Sequence, residues 1–280
     1  MTLFKHTFLI IGLLACYLGS AQEELLYKTI DTTELYMEVF MPKDFQTDKK
    51  YPGMVFFFGG GWKNGSTDQF KPHAEYFSKR GLICFLVDYR VEKRQHTTPF
   101  ESVKDAKSAI RFIRGHADKF QLDPTKLIAS GGSAGGHLAA ASALIKDYND
   151  PDDDLSISAI PNALVLFNPV FDNGPGGYGY GRIGDAYKNF SPLHNLREGA
   201  PPTLILLGTK DHLVPVETAE YYQIVMEKMG SRCELKLFEN QRHGFFNYKN
   251  FKNYQETVLE ADRFLVSLGF LGEEPKVKIE

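Results

Sequence analysis

Gly131-Gly132-Ser133-Ala134-Gly135-Gly136 sets a single serine among small neighbours, in a G-x-S-x-G pattern. A serine hydroxyl is a weak nucleophile until a neutral imidazole takes its proton during attack. That imidazole in turn needs a buried carboxylate to fix its tautomer and stabilise its charged form. Both partners occur downstream, Asp211 in Leu207-Gly208-Thr209-Lys210-Asp211 and His243 in Gln241-Arg242-His243-Gly244-Phe245. Attack on a carbonyl also creates an oxyanion that needs preorganised N–H donors, each typically worth about 2.7–4 kcal/mol. Phe58-Gly59-Gly60-Gly61-Trp62 ends an apolar run where a second set of donors would be expected.

Each motif has a plainer alternative. Glycines between a strand and a helix also cradle phosphates, but no Lys-Ser/Thr ending and no G-x-G-x-x-G frame accompanies Ser133. The glycines at 59–61 could make an ordinary turn. Asp172, after the apolar run at 163–167, is a second candidate for the acid. Of the other histidines, His73, His96, His116 and His194 follow no strand end, His137 should pack beneath Ser133, and His212 should point away from Asp211.

The elements that must position these residues can be read from hydrophobic spacing. Leu25–Ile30 and Leu35–Phe40, with Asp31-Thr32-Thr33 between them, predict an antiparallel hairpin. Continuous apolar runs follow at 55–58, 82–87, 127–129, 163–167, 203–207 and 234–238, which is the pattern of parallel strands buried on both faces. Helix-period segments at about 68–80, 100–119, 134–147, 216–229 and 251–268 complete the alternation. The expected architecture is one α/β domain over 22–280, a mostly parallel twisted sheet of eight strands flanked by helices. Residues 171–198, rich in Gly and Tyr, interrupt the rhythm and predict a surface insertion or a lid.

The 280 residues carry 32 Lys plus Arg against 35 Asp plus Glu, a balance that gives no basis for binding a phosphate backbone. Nucleic acid is excluded as a partner. Lys5 and His6 precede an apolar stretch, Phe8 to Gly19, that is short of the ~20 residues of a membrane span and fits a signal-peptide core. Cleavage is expected before Gln22, so that residues 1–21 are an export signal and the mature protein is periplasmic or secreted. Leu13-Leu14-Ala15-Cys16 offers the alternative of a lipoprotein anchored through Cys16. No later segment is predicted to span a membrane. Cys84 and Cys233 lie in separate apolar runs and should be unpaired small hydrophobes. Asp88 and Arg90 predict a structural ion pair, and Asp152-Asp153-Asp154 a solvated loop rather than a calcium site. No metal or other cofactor is expected.

Taken together, Ile128 through Ala139, the Gly-Gly-Gly-Trp loop, Asp88-Tyr89-Arg90, Gly208-Thr209-Lys210-Asp211 and Arg242-His243-Gly244-Phe245 resemble the α/β-hydrolase esterases. Within that fold the pattern is most similar to the hormone-sensitive-lipase-like group and the bacterial feruloyl and acetylxylan esterase branch, over about residues 35–268. The resemblance implies Ser133 as nucleophile, His243 as base and Asp211 as acid, with Gly60, Gly61 and Ala134 as oxyanion donors. It departs at Phe58, where the family usually has His. The resulting expectation is a cofactor-free ester hydrolase that removes acetyl groups from polysaccharides or sugars, with Trp62, Tyr178, Tyr180 and Phe245 offering flat surfaces to the substrate. A peptidase or amidase with the same triad, or a binding module without catalysis, are the alternatives.

Overall fold

Apolar runs without alternation need cover on both faces, and the chain supplies it. The computed structural model describes residues 23–273 and 277–279, so the expected signal at 1–21 and Cys16 lie outside the described residues. Strands β1 (Glu23–Ile30) and β2 (Thr33–Phe40) form the predicted hairpin, turning at Asp31 with φ 50°. They are followed by β3 (Tyr51–Phe57), β4 (Ile83–Val87), β5 (Leu122–Gly132), β6 (Ala163–Phe167), β7 (Thr203–Gly208) and β8 (Cys233–Phe238). The eight strands make one sheet in the order β1-β2-β4-β3-β5-β6-β7-β8. β2 joins β4 antiparallel, and every pairing from β4 across to β8 is parallel.

This order reverses at β3. The chain steps from β3 to β4 on one side and returns to β5 on the other, so the segments leaving the carboxyl ends of β3 and β5 diverge and open a crevice. The glycine loop leaves β3, and Ser133 follows β5.

Because successive side chains of a strand point to opposite faces, Val55 and Phe57 enter one core while Met54 and Phe56 enter the other. Helices α1 (Lys71–Lys79) and α5 (Phe251–Ser267) cover the Met54 face through Phe77, Val258 and Leu265. α2 (Pro99–Gly115), α3 (Ala134–Leu144) and α4 (Val216–Lys228) cover the opposite face through Ile110, Leu138 and Tyr222. α3 is buried along its whole length, as expected of a helix that is small and apolar on every side. It stops three residues before the predicted end, with Ile145 extended. There the Lys107 ammonium donates to the carbonyls of Ile145, at 2.7 Å, and Asp147. Burial and the neighbouring Arg111 push the Lys107 pKa down to about 8. α2 opens on a Thr98–Glu101 capping box and ends at Gly115, with a separate turn at Ala117–Phe120 in place of its predicted last turn.

Two expectations about charges need correction. Arg90 pairs with Asp105 rather than Asp88, both guanidinium contacts at 2.8 Å, while Asp88 takes Arg94 at 2.6 Å. The reason is that Asp105 is wholly buried, and the guanidinium fork satisfies both of its oxygens at once. Asp153 is likewise not simply solvated, since Arg111 holds it at 2.7 Å. Cys84 and Cys233 sit on strands that are not neighbours, and both are free and buried. Burial raises the Cys84 thiol pKa well above its ordinary value and that of Cys233 to about 12.

His73 on α1 lies among Phe56, Phe70, Phe167, Phe246 and Tyr254, with neither ring nitrogen hydrogen-bonded. Burial lowers its pKa from 6.5 to about 3. Between those values the unfolded chain binds a proton that the folded chain refuses, so stability falls as pH falls through that window. His73→Phe should therefore flatten the acid-side decline, losing less denaturant midpoint than the parent between about pH 7 and pH 4. Parallel declines in urea titrations of the two proteins would contradict a neutral, buried His73.

Candidate active site

β5 runs past its predicted end to Gly132, and Ser133 follows with φ 54° and ψ −117°. A non-glycine residue held there costs about 1–3 kcal/mol, so the surroundings must over-determine it. They do so through the backbone. Ser133 N–H donates to the Phe167 carbonyl at 3.0 Å, and the Ser133 carbonyl accepts from His137 at 3.0 Å and Val170 at 3.1 Å. Gly131 and Gly135 are small of necessity, since an added Cβ would lie 2.4 Å from the Gly135 backbone and 2.0 Å from the Phe57 carbonyl oxygen respectively.

The loops after β7 and β8 bring the other two residues to this serine. His243 Nε2 lies 2.8 Å from Ser133 Oγ, and His243 Nδ1 lies 2.7 Å from Asp211 Oδ2. The second carboxylate oxygen, Oδ1, accepts from Leu213 N–H at 2.9 Å and Val214 N–H at 3.1 Å, and the Asp211 side chain is fully buried. An ionised carboxylate can only accept, so Nδ1 carries the proton and Nε2 is free to accept from the serine hydroxyl. Three backbone-directed bonds tie the two loops together: Lys210 N–H to the Gln241 carbonyl at 2.9 Å, Thr209 N–H to the Phe238 carbonyl at 3.0 Å, and Asn240 N–H to Thr209 Oγ1 at 2.8 Å. Asn168, which the sequence did not single out, accepts from Gly244 N–H at 2.8 Å beside the imidazole.

The competing residues lie elsewhere. Asp172 faces His194 at 3.8 Å and accepts from Gly174 N–H, so it is not the carboxylate on His243. His212 is exposed. His137 is buried one turn past Ser133, bonded to the Phe190 carbonyl, and burial lowers its pKa to about 3.

The glycine loop is pinned one peptide plane at a time. The Phe58 carbonyl accepts from the Tyr89 hydroxyl at 2.6 Å, and Gly59 N–H donates to Gln69 Oε1 at 2.6 Å. Gln69 is itself anchored on Asn247. The Phe58 ring stacks on Tyr89 with centroids 4.1 Å apart. Tyr89 and Gln69 thus brace the loop whose usual histidine is replaced by Phe58. Gly60, at φ 125°, and Gly61, at φ 65°, take backbone angles that favour glycine. The Gly60 carbonyl accepts from Lys63 and Asn64, which turns the Gly61 N–H of the same trans peptide the opposite way. Ala134 is the first residue of α3, where N–H groups have no intrahelical acceptor.

A BD-FAE family model matches residues 37–168, and a dienelactone hydrolase family model matches residues 176–267. Esterase 2 of Thermogutta terrifontis, solved phosphoramylated by tabun, is 43% identical with a TM-score of 0.87, covering 92% of this chain and 98% of that one. The chain belongs to the α/β-hydrolase esterases. The propionate-bound form of that enzyme superposes with a TM-score of 0.85 at 42% identity, over 91% of this chain and 97% of the other. Among curated proteins, esterase LipC of Mycobacterium tuberculosis is 28% identical over 75% of this chain and 56% of its own length. The acetylxylan esterase of Xylanibacter ruminicola is 26% identical over 75% of this chain and 44% of its own. The chain spans about half the length of the curated relatives it matches.

In this α/β-hydrolase esterase, two residues expected to face a substrate do not. Trp62 is 0% exposed, packed against His137, Tyr178 and Phe190. Phe245 is buried against Phe238 and Phe246. Both aromatics serve the core because the glycine loop and the loop after β8 turn them inward. Tyr178 and Tyr180 remain half-buried, and the Tyr178 hydroxyl lies where a Cβ on Gly61 would fall, 2.4 Å from that position. Residues 171–198 fold into short helical turns, including Tyr180–Ile183 and Tyr187–Phe190. The segment is tied down by Ser191 Oγ, which donates to the Phe171 carbonyl and accepts from Asn173 N–H.

Tyr89→Phe removes the hydroxyl from a buried carbonyl and should lower stability by about 1–3 kcal/mol, read as a shift of the urea midpoint at constant m-value. An unchanged midpoint would mean that Tyr89 does not brace the glycine loop.

Proposed function

We propose that the chain is an exported serine carboxylic-ester hydrolase that removes acetyl groups from polysaccharides or oligosaccharides. The observation that carries the reading is the continuous chain from Asp211 through His243 to Ser133, with contacts of 2.7 and 2.8 Å. Ser133 Oγ attacks the ester carbonyl while its proton passes to His243 Nε2, and Asp211 stabilises the imidazolium. The oxyanion is held by the N–H groups of Gly60, Gly61 and Ala134. Collapse expels the alcohol, protonated by His243, and leaves an acyl group on Ser133. Water, deprotonated by the same imidazole, then releases the acid and the free serine. The reaction balances without a cofactor.

The acetyl-carbohydrate assignment is supported by the likeness to an acetylxylan esterase. Release to the periplasm or the exterior is supported by the apolar leader before Gln22. A half-exposed Tyr178, whose hydroxyl lies beside Gly61, suits a sugar ring.

Purified protein should hydrolyse p-nitrophenyl acetate, with Ser133→Ala lowering kcat by about 10^6 and Asp211→Asn by about 10^4. His243→Ala should lower kcat about as far as Ser133→Ala, and a variant that keeps most of its activity would exclude His243 as base. Acetate release from acetylated xylan, pectin and oligosaccharides, compared with cleavage of matched peptide amides, tests the substrate class. Preference for the amides would move the assignment to a peptidase.

A further inference from the structure

Three peptide planes of the glycine loop are held by elements that belong to the sheet and its nearby turns. Tyr89 and Gln69 fix the plane between residues 58 and 59, and Lys63 and Asn64 fix the plane between 60 and 61. Glu92 N–H, donating to the Trp62 carbonyl at 3.0 Å, fixes the plane between 62 and 63. The plane between Gly61 and Trp62 is held from the insertion instead. The Gly61 carbonyl accepts from Arg182 Nη1 at 2.7 Å. The same guanidinium lies over the Trp62 ring at 5.3 Å and the Tyr178 ring at 6.0 Å, with Glu92 4.0 Å away. Trp62 has φ 58°, a left-handed conformation unusual for so large a residue, so this is the segment of the loop with most reason to relax.

We infer that Arg182 is a positioning residue, through which the insertion at 171–198 holds the oxyanion loop in its donating conformation. This rests on the esterase reading above. Arg182 touches no reacting atom; it acts through the Gly61 carbonyl and the Trp62 ring. A planar fork that donates in its own plane while stacking on two aromatic rings suits this role, and an ammonium can reproduce the donation but not the stacking. Because Gly61 supplies both the carbonyl that Arg182 grips and an N–H facing the oxyanion, rotation about Gly61 links the two. Movement of the insertion is thereby coupled to transition-state stabilisation rather than to substrate entry alone.

The test compares Arg182→Met and Arg182→Lys with the parent on p-nitrophenyl acetate and on a matched thionoester, whose sulfur accepts hydrogen bonds poorly. Endpoint labelling of Ser133 by an organophosphonate counts folded sites, so that loss of protein is not mistaken for loss of function. Arg182→Met should lower kcat on the oxygen ester by about 10- to 100-fold, with KM changed less than about twofold. The loss should be smaller on the thionoester, and Arg182→Lys should recover part of it. A second variant, Arg182→Gly, should regain activity when ethylguanidinium is added at concentrations that do not unfold the protein. Unchanged kcat in Arg182→Met, or equal losses on the two esters, would overturn the role of Arg182 while leaving the esterase reading intact. A parent protein that hydrolyses neither ester would overturn both.

Discussion

The approach of the Phe57 carbonyl to Gly135 is the constraint on which the site depends. A methyl group at position 135 would come within 2.0 Å of that oxygen, so the end of β3 and the start of α3 can meet only because residue 135 has no side chain. Their contact forces the turn after β5 to be abrupt and leaves Ser133 in a conformation few serines adopt. It also sets the glycine loop, which begins one residue after Phe57, beside the first turn of α3. The parallel pairing of Phe57 with Gly131 puts both loops at the same level of the sheet. Ser133 and the N–H groups of the glycine loop are then adjacent as a consequence of register, before any side-chain interaction is considered.

The polar half of the site is held by a different means. Asp211 is removed from solvent, yet each of its oxygens has a donor: two backbone N–H groups take Oδ1 and leave Oδ2 to His243. The loops carrying these residues follow adjacent parallel strands and are bonded to each other by their backbones. Small displacements of β7 relative to β8 are therefore resisted by the same bonds that align the imidazole. The strain at Ser133 and the desolvation of Asp211 are both local costs, offset by a sheet buried on both faces along its central strands.

Much of this was legible in the residues. The strands lie where the apolar runs put them, because strands buried on both faces leave a continuous apolar pattern; Ile83–Val87 and Ala163–Phe167 are examples, whereas Cys233–Phe238, at the sheet edge, is buried only at Cys233. Ser133, Asp211 and His243 stood out because each follows a strand end, in that order along the chain, and Ser133 also lies among Gly and Ala. What escaped was contact across long separations. Nothing local in the sequence tells that Arg90 will meet Asp105, that Gln69 will reach Gly59 while leaning on Asn247, or that Arg182 will grip Gly61. Trp62 and Phe245 misled for a related reason. An aromatic next to a functional loop can face solvent or the core, and only the turn geometry decides which. The ends of α2 and α3 were overrun because helix-period spacing continues through residues whose backbone bonds go elsewhere, such as Ile145, whose carbonyl is taken by Lys107.

Cys84 and Cys233 lie buried on strands that are not neighbours, with burial raising both thiol pKa values. Disulfide exchange and most thiol oxidation proceed through the thiolate and require access to sulfur. In the folded protein neither condition is met, so these two cysteines are chemically silent whether the surroundings are reducing or oxidising. Their reactivity is stored in the unfolded chain: the rate at which an alkylating reagent captures them measures how often the sheet opens, not what lies on its surface.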